Sequence, residues 1–597
     1  MKVKFYIASA LLASATAAMG QAVVPTFTEQ KLPSGFSGQN VCGSIVYADV
    51  NNDGQMDMIV KSRDMANGWI PSAVVVMNEG GVLSTVKQLS METADVPYEV
   101  AINAFDYNND GNIDYLVTGG YELLYKGNGD GTFSRVTDFN IEPTAALDEG
   151  ERLYKLTAVA DFDLDGYKDI IVRGTDGYPV LYINDGGKGT FTKVDRTGLG
   201  KLRSGAISVG DIDKDGYPDV ILAGWSDDKG GSDFAIYMNN GDYTFTESKQ
   251  SVFGIGSQKG EVMLADVNAD GYLDIFMSGE TYSESNWSKT TAILINDGKG
   301  TFSKLPMLLT QVDKSGMEWI DVNADGKMDL IFTGEGGTNE TTLLLNEGSS
   351  AGMPKFTVKT GLLGKHRGGA VIAAYDYNAD GCPDVALMGY NDNGGDKSFQ
   401  IFNGGSNVKN TAPAAPSNLS MKSVEGKVTF TWDAATDAET SAEALRYNVY
   451  VEMADGSIST LVPADLVTGA LRLGDVNNAV MQCTYTLNVN GEDIKSWGVQ
   501  TIDGGKCASK FAVYGSSGIS SVTADGTALD VTCANGVVTV SADAAVTVTV
   551  TDLSGSTLMS ANVKAGSALD ANFPAGIYIV KAVTADGESV VKKFVVK

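Results

Sequence analysis

The sequence predicts an all-β chain: a seven-bladed β-propeller followed by two small β-sandwich domains. Three observations predict it. A nine-residue acidic loop recurs seven times at a period near 55 residues. Segments rich in Val, Ile, Thr, Tyr and Phe recur throughout, and beyond the first 20 residues no long stretch spaces its apolar residues as a helix would. Glycine is abundant, 70 of 597 residues against 14 prolines, which favours many tight turns over extended linkers.

Residues 1–20 stand apart from the fold. Lys2 and Lys4 form a short basic end, Phe5 to Ala18 is an apolar run, and Ala18-Met19-Gly20 is a small-x-small cleavage site. This is the pattern of a signal peptide, with Gln21 as the mature N-terminus. The apolar run is short for a bilayer span, and no later segment is apolar enough to be a transmembrane segment. The formal charge is −30, and removing Lys2 and Lys4 takes it to −32. Such acidity excludes nucleic acid as a partner and suits a cation-loaded exterior protein. Five cysteines do not make a disulfide scaffold at this length. Cys483 and Cys507 lie in one short region and can pair, whereas Cys42, Cys382 and Cys533 are read as buried free thiols.

The repeated loop has the form D-x-[DN]-x-D-G-x-x-D, and its first residues are separated by 57, 55, 50, 55, 55 and 55 positions. Calcium takes six to eight oxygens in flexible geometry, and such a loop offers them. Side-chain oxygens at positions 1, 3 and 5 converge as the chain curls, Gly at position 6 permits the sharp turn, the carbonyl of position 7 points inward, and Asp at position 9 closes the shell. The predicted ligands are Asp49, Asn51, Asp53, Gln55 and Asp57 in the first loop, and Asp106, Asn108, Asp110, Asn112 and Asp114 in the second. Asp161, Asp163, Asp165, Tyr167 and Asp169 form the third, and Asp211, Asp213, Asp215, Tyr217 and Asp219 the fourth. The fifth has Asp266, Asn268, Asp270, Tyr272 and Asp274; the sixth has Asp321, Asn323, Asp325, Lys327 and Asp329. Asp376, Asn378, Asp380, Cys382 and Asp384 complete the set. About seven Ca²⁺ are expected, which would move the mature charge from −32 to −18. The loop begins like an EF-hand, but no Glu stands at position 12 and the flanks read as strands.

Each period has room for four short strands, the meander of a propeller blade. In the third repeat these are Leu156–Ala160, Asp169–Arg173, Pro179–Ile183 and Thr190–Val194. A turn of the Asn-Asp-Gly-x-Gly-Thr-Phe kind precedes the fourth strand, its Asn and Gly expected to supply positive φ. On the calcium loop and this turn, the chain resembles the FG-GAP/VCBS repeat family, whose relatives include the integrin α-subunit propeller. The resemblance covers roughly residues 22–408. The seventh repeat has only three strands, Ile372–Tyr375, Asp384–Met388 and Phe399–Phe402. Thr26–Lys31 matches a fourth strand, so the N-terminus is expected to complete the last blade and latch the ring. The propeller is taken as 21–408.

Residues 409–418 read as a linker. The segment to 514 then resembles a fibronectin type III domain, through Val428–Asp433 with Trp432, Leu445–Val451, and Ser496–Asp503; the expected role is a spacer. Residues 515–597, with Pro574-Ala-Gly-Ile-Tyr578 and the Lys-rich Val-Val end, resemble the C-terminal sorting domain of type IX secretion cargo. That resemblance implies export by the type IX secretion machinery to the outer surface, or the surroundings, of a Gram-negative bacterium.

No catalytic residue is identified. The chain has one histidine, His366, in a segment that reads as a connection between blades. The paired carboxylates are all accounted for by the loops. The expected function is adhesion or binding of an extracellular glycan or protein; the alternative is a carbohydrate-active enzyme, a polysaccharide lyase or hydrolase, on a calcium-bearing propeller. Loops between strands two and three should lie on the face opposite the calcium. They and the lead-ins to strand one supply the candidate ligand-binding residues Trp69, Trp225, Tyr282, Trp287, Tyr390, Arg203 and Arg367.

Overall fold

The computed structural model describes residues 23–596, except 67, 69, 90–100, 120–121, 143–156, 175–176, 202, 227–229, 249–258, 284–285, 392–397, 515–528, 535–536, 543–544, 553–555, 565–566, 574–575 and 585–588. The expected signal peptide, residues 1–20, and Trp69 therefore lie outside the described residues. The chain forms two compact units, one ending at Val513 and one beginning at Tyr514.

Among the described residues, seven four-stranded antiparallel sheets lie within Thr26–Gly405. The third matches its expected strands closely, as Thr157–Ala160, Asp169–Arg173, Pro179–Asn184 and Phe191–Val194. The first strand of every sheet neighbours the first strand of the next. Arg367–Tyr375 of the last sheet lies beside Asn40–Ala48 of the first, so the sheets close into a propeller-like ring. The apolar core is a set of slabs between neighbouring sheets, because each sheet buries both faces. One slab joins Ile320, Ile331 and Leu343 to Ile372, Val385 and Phe402; another joins Ala206 and Ile221 to Leu264 and Ile275.

The N-terminal latch is present. Thr26–Glu29 pairs antiparallel with Phe399–Gly405, in the register Thr26 to Gly405 and Glu29 to Phe402. Phe27 packs on the slab between the sixth and seventh sheets. His366 is fully buried between strand Met353–Lys365 and strand Arg367–Tyr375, where two blades join.

Residues 417–513 form a sandwich of three plus four strands, packed around Trp497, Phe430, Tyr447 and Trp432. It belongs to the same compact unit as the ring, and its core includes Leu164 from the third acidic loop. The expected spacer is therefore docked. The expected linker is held as well: Asn410 donates its N–H to the Gly381 carbonyl and its side-chain amide to Asp503. Among the described residues no disulfide forms: Cys42 and Cys382 are buried thiols, and Cys483 and Cys507 do not pair. The C-terminal unit is a second three-plus-four sandwich, centred on Val548, Val550, Tyr578 and Val580.

Candidate metal loops and aromatic rim

The seven acidic loops share one backbone design. In each, the position-1 carboxylate accepts the N–H of the position-6 glycine, at 2.7–3.0 Å. The position-5 carboxylate accepts the N–H of position 7. These bonds curl the chain so that the carboxylates face inward. Position 6 is in the left-handed region, as expected of glycine, but so is position 4 in every copy: Asn52, Asn109, Leu164, Lys214, Ala269, Ala324 and Ala379 have φ between 54° and 63°. Left-handed backbone costs a non-glycine residue about 1–2 kcal/mol, so the same strain is held seven times.

Position 9 opens the second strand and ties the blade together. One oxygen of Asp57 accepts the N–H of Val50 and the other that of Asn78 in the third strand, and the remaining copies repeat the bond to the third strand. Burial pushes these carboxyls up, to about 7 at Asp57 and about 8 at Asp114, Asp219 and Asp384. Burial raises the position-1 carboxyls as well, to about 7 at Asp106 and about 6 at Asp211, Asp266 and Asp321.

Several ligand-position oxygens have no hydrogen-bond partner. They are Asp211 Oδ1 at position 1, Asn323 Oδ1 at position 3 and Asp384 Oδ2 at position 9; Asn323 and Asp384 are 1% and 0% exposed. A buried oxygen left bare costs about 1–3 kcal/mol, and a cation would satisfy it. In the third loop, carboxylate oxygens of Asp161, Asp163 and Asp169 lie within 4.8 Å of one another, as do those of Asp211, Asp213 and Asp215 in the fourth. An all-oxygen donor set at this density fits a hard divalent cation of calcium's size.

The side chains at position 7 do something else. Gln55 Oε1 accepts the N–H groups of Gly80 and Gly81. Tyr167, Tyr217 and Tyr272 lie against Gly187, Gly241 and Gly298, where an added Cβ would come within about 3 Å of the ring. Lys327 forms an ion pair with Asp325 of its own loop, and the Cys382 thiol accepts from Lys409.

The asparagines at the end of the third strand, expected to supply turn geometry, hold the blades together. Their φ is not positive; the glycines of the turn carry it. Each asparagine staples two blades instead. Asn346 Nδ2 donates to Met328 O within its blade and to Val267 O of the preceding one. Asn78, Asn184, Asn239 and Asn296 make the equivalent pair of bonds. The recurring strand-terminal Asn was the available signal.

At the other end of the blades, the segments around Trp225 and Trp287, expected as loops between strands two and three, are mostly paired strand. Asp274–Ser283 and Asn286–Asn296 stay in register out to Ser283 and Asn286, and Trp225 pairs with Ser232. The β-branched and aromatic residues of these segments extend the ladder. Trp225 lies six residues beyond Asp219 along one strand, roughly 20 Å from the acidic loop. There Trp225, Trp287 and Tyr282 converge: ring centroids are 5.7 Å apart for the two tryptophans, 5.4 Å for Trp225–Tyr282 and 4.8 Å for Tyr282–Trp287. Trp287 is 52% exposed. Lys259 lies 5.9 Å from its ring and pairs with Glu280 at 2.9 Å. Arg203 pairs with Trp225 across the ladder, through backbone. Arg367 and Tyr390 pair in the seventh blade, away from this cluster, and the Tyr390 hydroxyl accepts from Cys42 at the seam with the first. Three of the seven candidates, Trp225, Tyr282 and Trp287, thus share one place, with the backbone of Arg203 beside them.

Against known proteins, the FG-GAP-like repeat family matches residues 161–222, 211–277 and 321–387. The chain carries FG-GAP-like repeats. The secretion system C-terminal sorting domain matches residues 533–597. A type IX sorting domain therefore ends the chain and implies secretion or surface localisation. No curated protein matches. Among solved structures, the chain is similar to an Agrocybe aegerita lectin that recognises non-reducing terminal N-acetylglucosamine. The identity is 20%, over 57% of this chain and 80% of that one, with a TM-score of 0.37. The BBS1N–ARL6DN complex gives 12% identity over 64% and 97% of the chains, with a TM-score of 0.38. AofleA from Arthrobotrys oligospora gives 10% over 57% and 91%, with a TM-score of 0.31. Likeness at this level says nothing of a ligand.

Proposed function

We propose that the protein is a secreted, calcium-loaded seven-bladed propeller that presents a ligand-binding rim at the cell surface, for a glycan or a protein. The observation that carries the metal part is the set of bare, buried ligand-position oxygens in loops that already crowd three or four carboxylates. Calcium is held by the oxygens at positions 1, 3, 5 and 9 and the carbonyl of position 7. It supplies the charge that lets those buried carboxyls stay ionised. The repeats and sorting tail support a secreted propeller, and the three-plus-four sandwich supports a fibronectin type III-like module.

The binding part rests on the Trp225–Tyr282–Trp287 cluster. An exposed indole backed by two more rings offers a rigid apolar face, and the Lys259–Glu280 pair beside it offers a donor and an acceptor. Tryptophan is over-represented among residues whose truncation costs more than about 2 kcal/mol at interfaces. Trp287→Ala and Trp225→Ala should each weaken binding at least tenfold, about 1.4 kcal/mol, to a ligand found on a glycan and matrix-protein array with calcium present. Calcium stoichiometry should not change. Wild-type binding by both variants would move the binding site elsewhere.

A further inference from the structure

The face that carries the acidic loops is covered by the 409–513 module, and the contacts fall on the loops themselves. The Ile458 N–H donates to Asn109 O at 3.2 Å, and Arg472 Nη1 to Gly111 O at 2.6 Å. The Asn488 N–H donates to Leu164 O, and Gln482 Nε2 to Asp211 Oδ2 at 2.8 Å. Gly504 O accepts the Asp321 N–H, and Gly381 O accepts the Asn410 N–H, each at 3.0 Å. A Cβ added to Gly326 would lie 1.7 Å from the Glu439 carbonyl oxygen, so the two backbones meet there. The first loop joins the set through Asp49, whose N–H donates to Arg472 O at 2.9 Å. Behind this cover lies a 270 Å³ cavity inside the ring, lined by first strands and by 473–478 of the module.

Most of these partners are loop backbone, at positions 1, 4 and 6. Their positions are set by how tightly each loop curls, and the curl brings like charges together around bare oxygens such as Asn323 Oδ1 and Asp384 Oδ2. We infer that the 409–513 module is a calcium-dependent cap: metal in the loops holds them in the shape the module docks on, and removing it releases the module and opens the central cavity. The inference rests on the calcium assignment above. Coupling of this kind is reciprocal, so contacts made by the module must in turn tighten calcium.

Amide hydrogen exchange on the full chain tests it, in calcium and in excess chelator, beside calorimetric calcium titration. The N–H groups of Ile458, Gly474 and Asn488 all donate to the ring and read docking directly. Chelation should speed their exchange at least tenfold while the second strands of the blades, such as Asp329–Glu335, keep their protection. Arg472→Ala, which loses the bond to Gly111 O, and Asn488→Ala, which loses the bond from its Nδ2 to Asp163 O, remove no metal-ligating side chain and should each weaken calcium binding at least fivefold. Unchanged exchange at the three amides despite measured calcium binding would overturn the cap, as would loss of protection everywhere at once. Variants that bind calcium like wild type would also overturn it. No calcium heat at all would remove the metal assignment and the cap with it.

Discussion

Excess chelator should lower the melting temperature of the full chain by roughly 5–10 °C. Extracellular calcium sites have Kd near 10⁻⁴–10⁻³ M, so at millimolar calcium each contributes about 1 kcal/mol by mass action. Seven together reach several kcal/mol, comparable with the net stability of a domain, and 1 kcal/mol is worth roughly 1 °C in a compact unit that runs to Val513, because the unfolding entropy grows with length. The pH dependence should change with the metal. Without calcium, buried loop carboxyls with folded values of about 6 to 8 face an unfolded value of about 3.9. The folded state then binds more protons than the unfolded one, so stability is greatest at low pH and is lost as pH rises through 6 to 8. In chelator the melting temperature should therefore rise on acidification from pH 8 toward 5. In calcium, which holds the carboxylates ionised, that rise should vanish. Scanning calorimetry across pH, with and without chelator, checks both statements.

Deleting residues 22–32 should destabilise the ring by roughly 2–4 kcal/mol and promote aggregation. The deletion removes the outer strand of the last blade, with its register against Phe399–Gly405, and the Phe27 side chain on the adjoining slab. Burial of a Phe contributes about 1.5–3 kcal/mol, and the exposed edge of Phe399–Gly405 becomes a template for pairing with another chain. It also removes the Val23 carbonyl that accepts from Asn323 in the sixth loop, at 3.1 Å. Deleting 515–597, a separate compact unit, should leave the melting of the ring unchanged. Light scattering during a thermal melt distinguishes the two truncations. A silent N-terminal deletion would show that the ring does not depend on its latch.

What could be read from the sequence was what repeats with fixed chemistry. The acidic loop, its period, the strands around it and the spare strand Thr26–Glu29 are local patterns, and the structure has them. Position 4 of the loop escaped because its left-handed φ is imposed on Asn, Leu, Lys and Ala alike, by bonds made at positions 1 and 6. The staples escaped because Asn346 acts on a carbonyl 79 residues away, while its neighbours in sequence suggest only a turn. Docking of the 409–513 module was invisible for a related reason: it works largely through backbone groups such as Gly111 O, Leu164 O and Gly504 O, which any side chain leaves in place. Of the aromatic rim, the residue types could be picked out, but the meeting of Trp225 with Trp287 needed two strand pairs longer than the expected loops allow.

Calcium content is the most direct test of the central claim. The full chain is equilibrated in millimolar calcium, and bound metal per chain is counted by atomic emission against the free ion across a dialysis membrane. About seven ions per chain are expected, and an Asp161→Asn, Asp163→Asn, Asp169→Asn variant should hold one fewer, since those three carboxylates converge in a single loop. A wild-type chain that holds none or one, while folded and monomeric, would contradict the account.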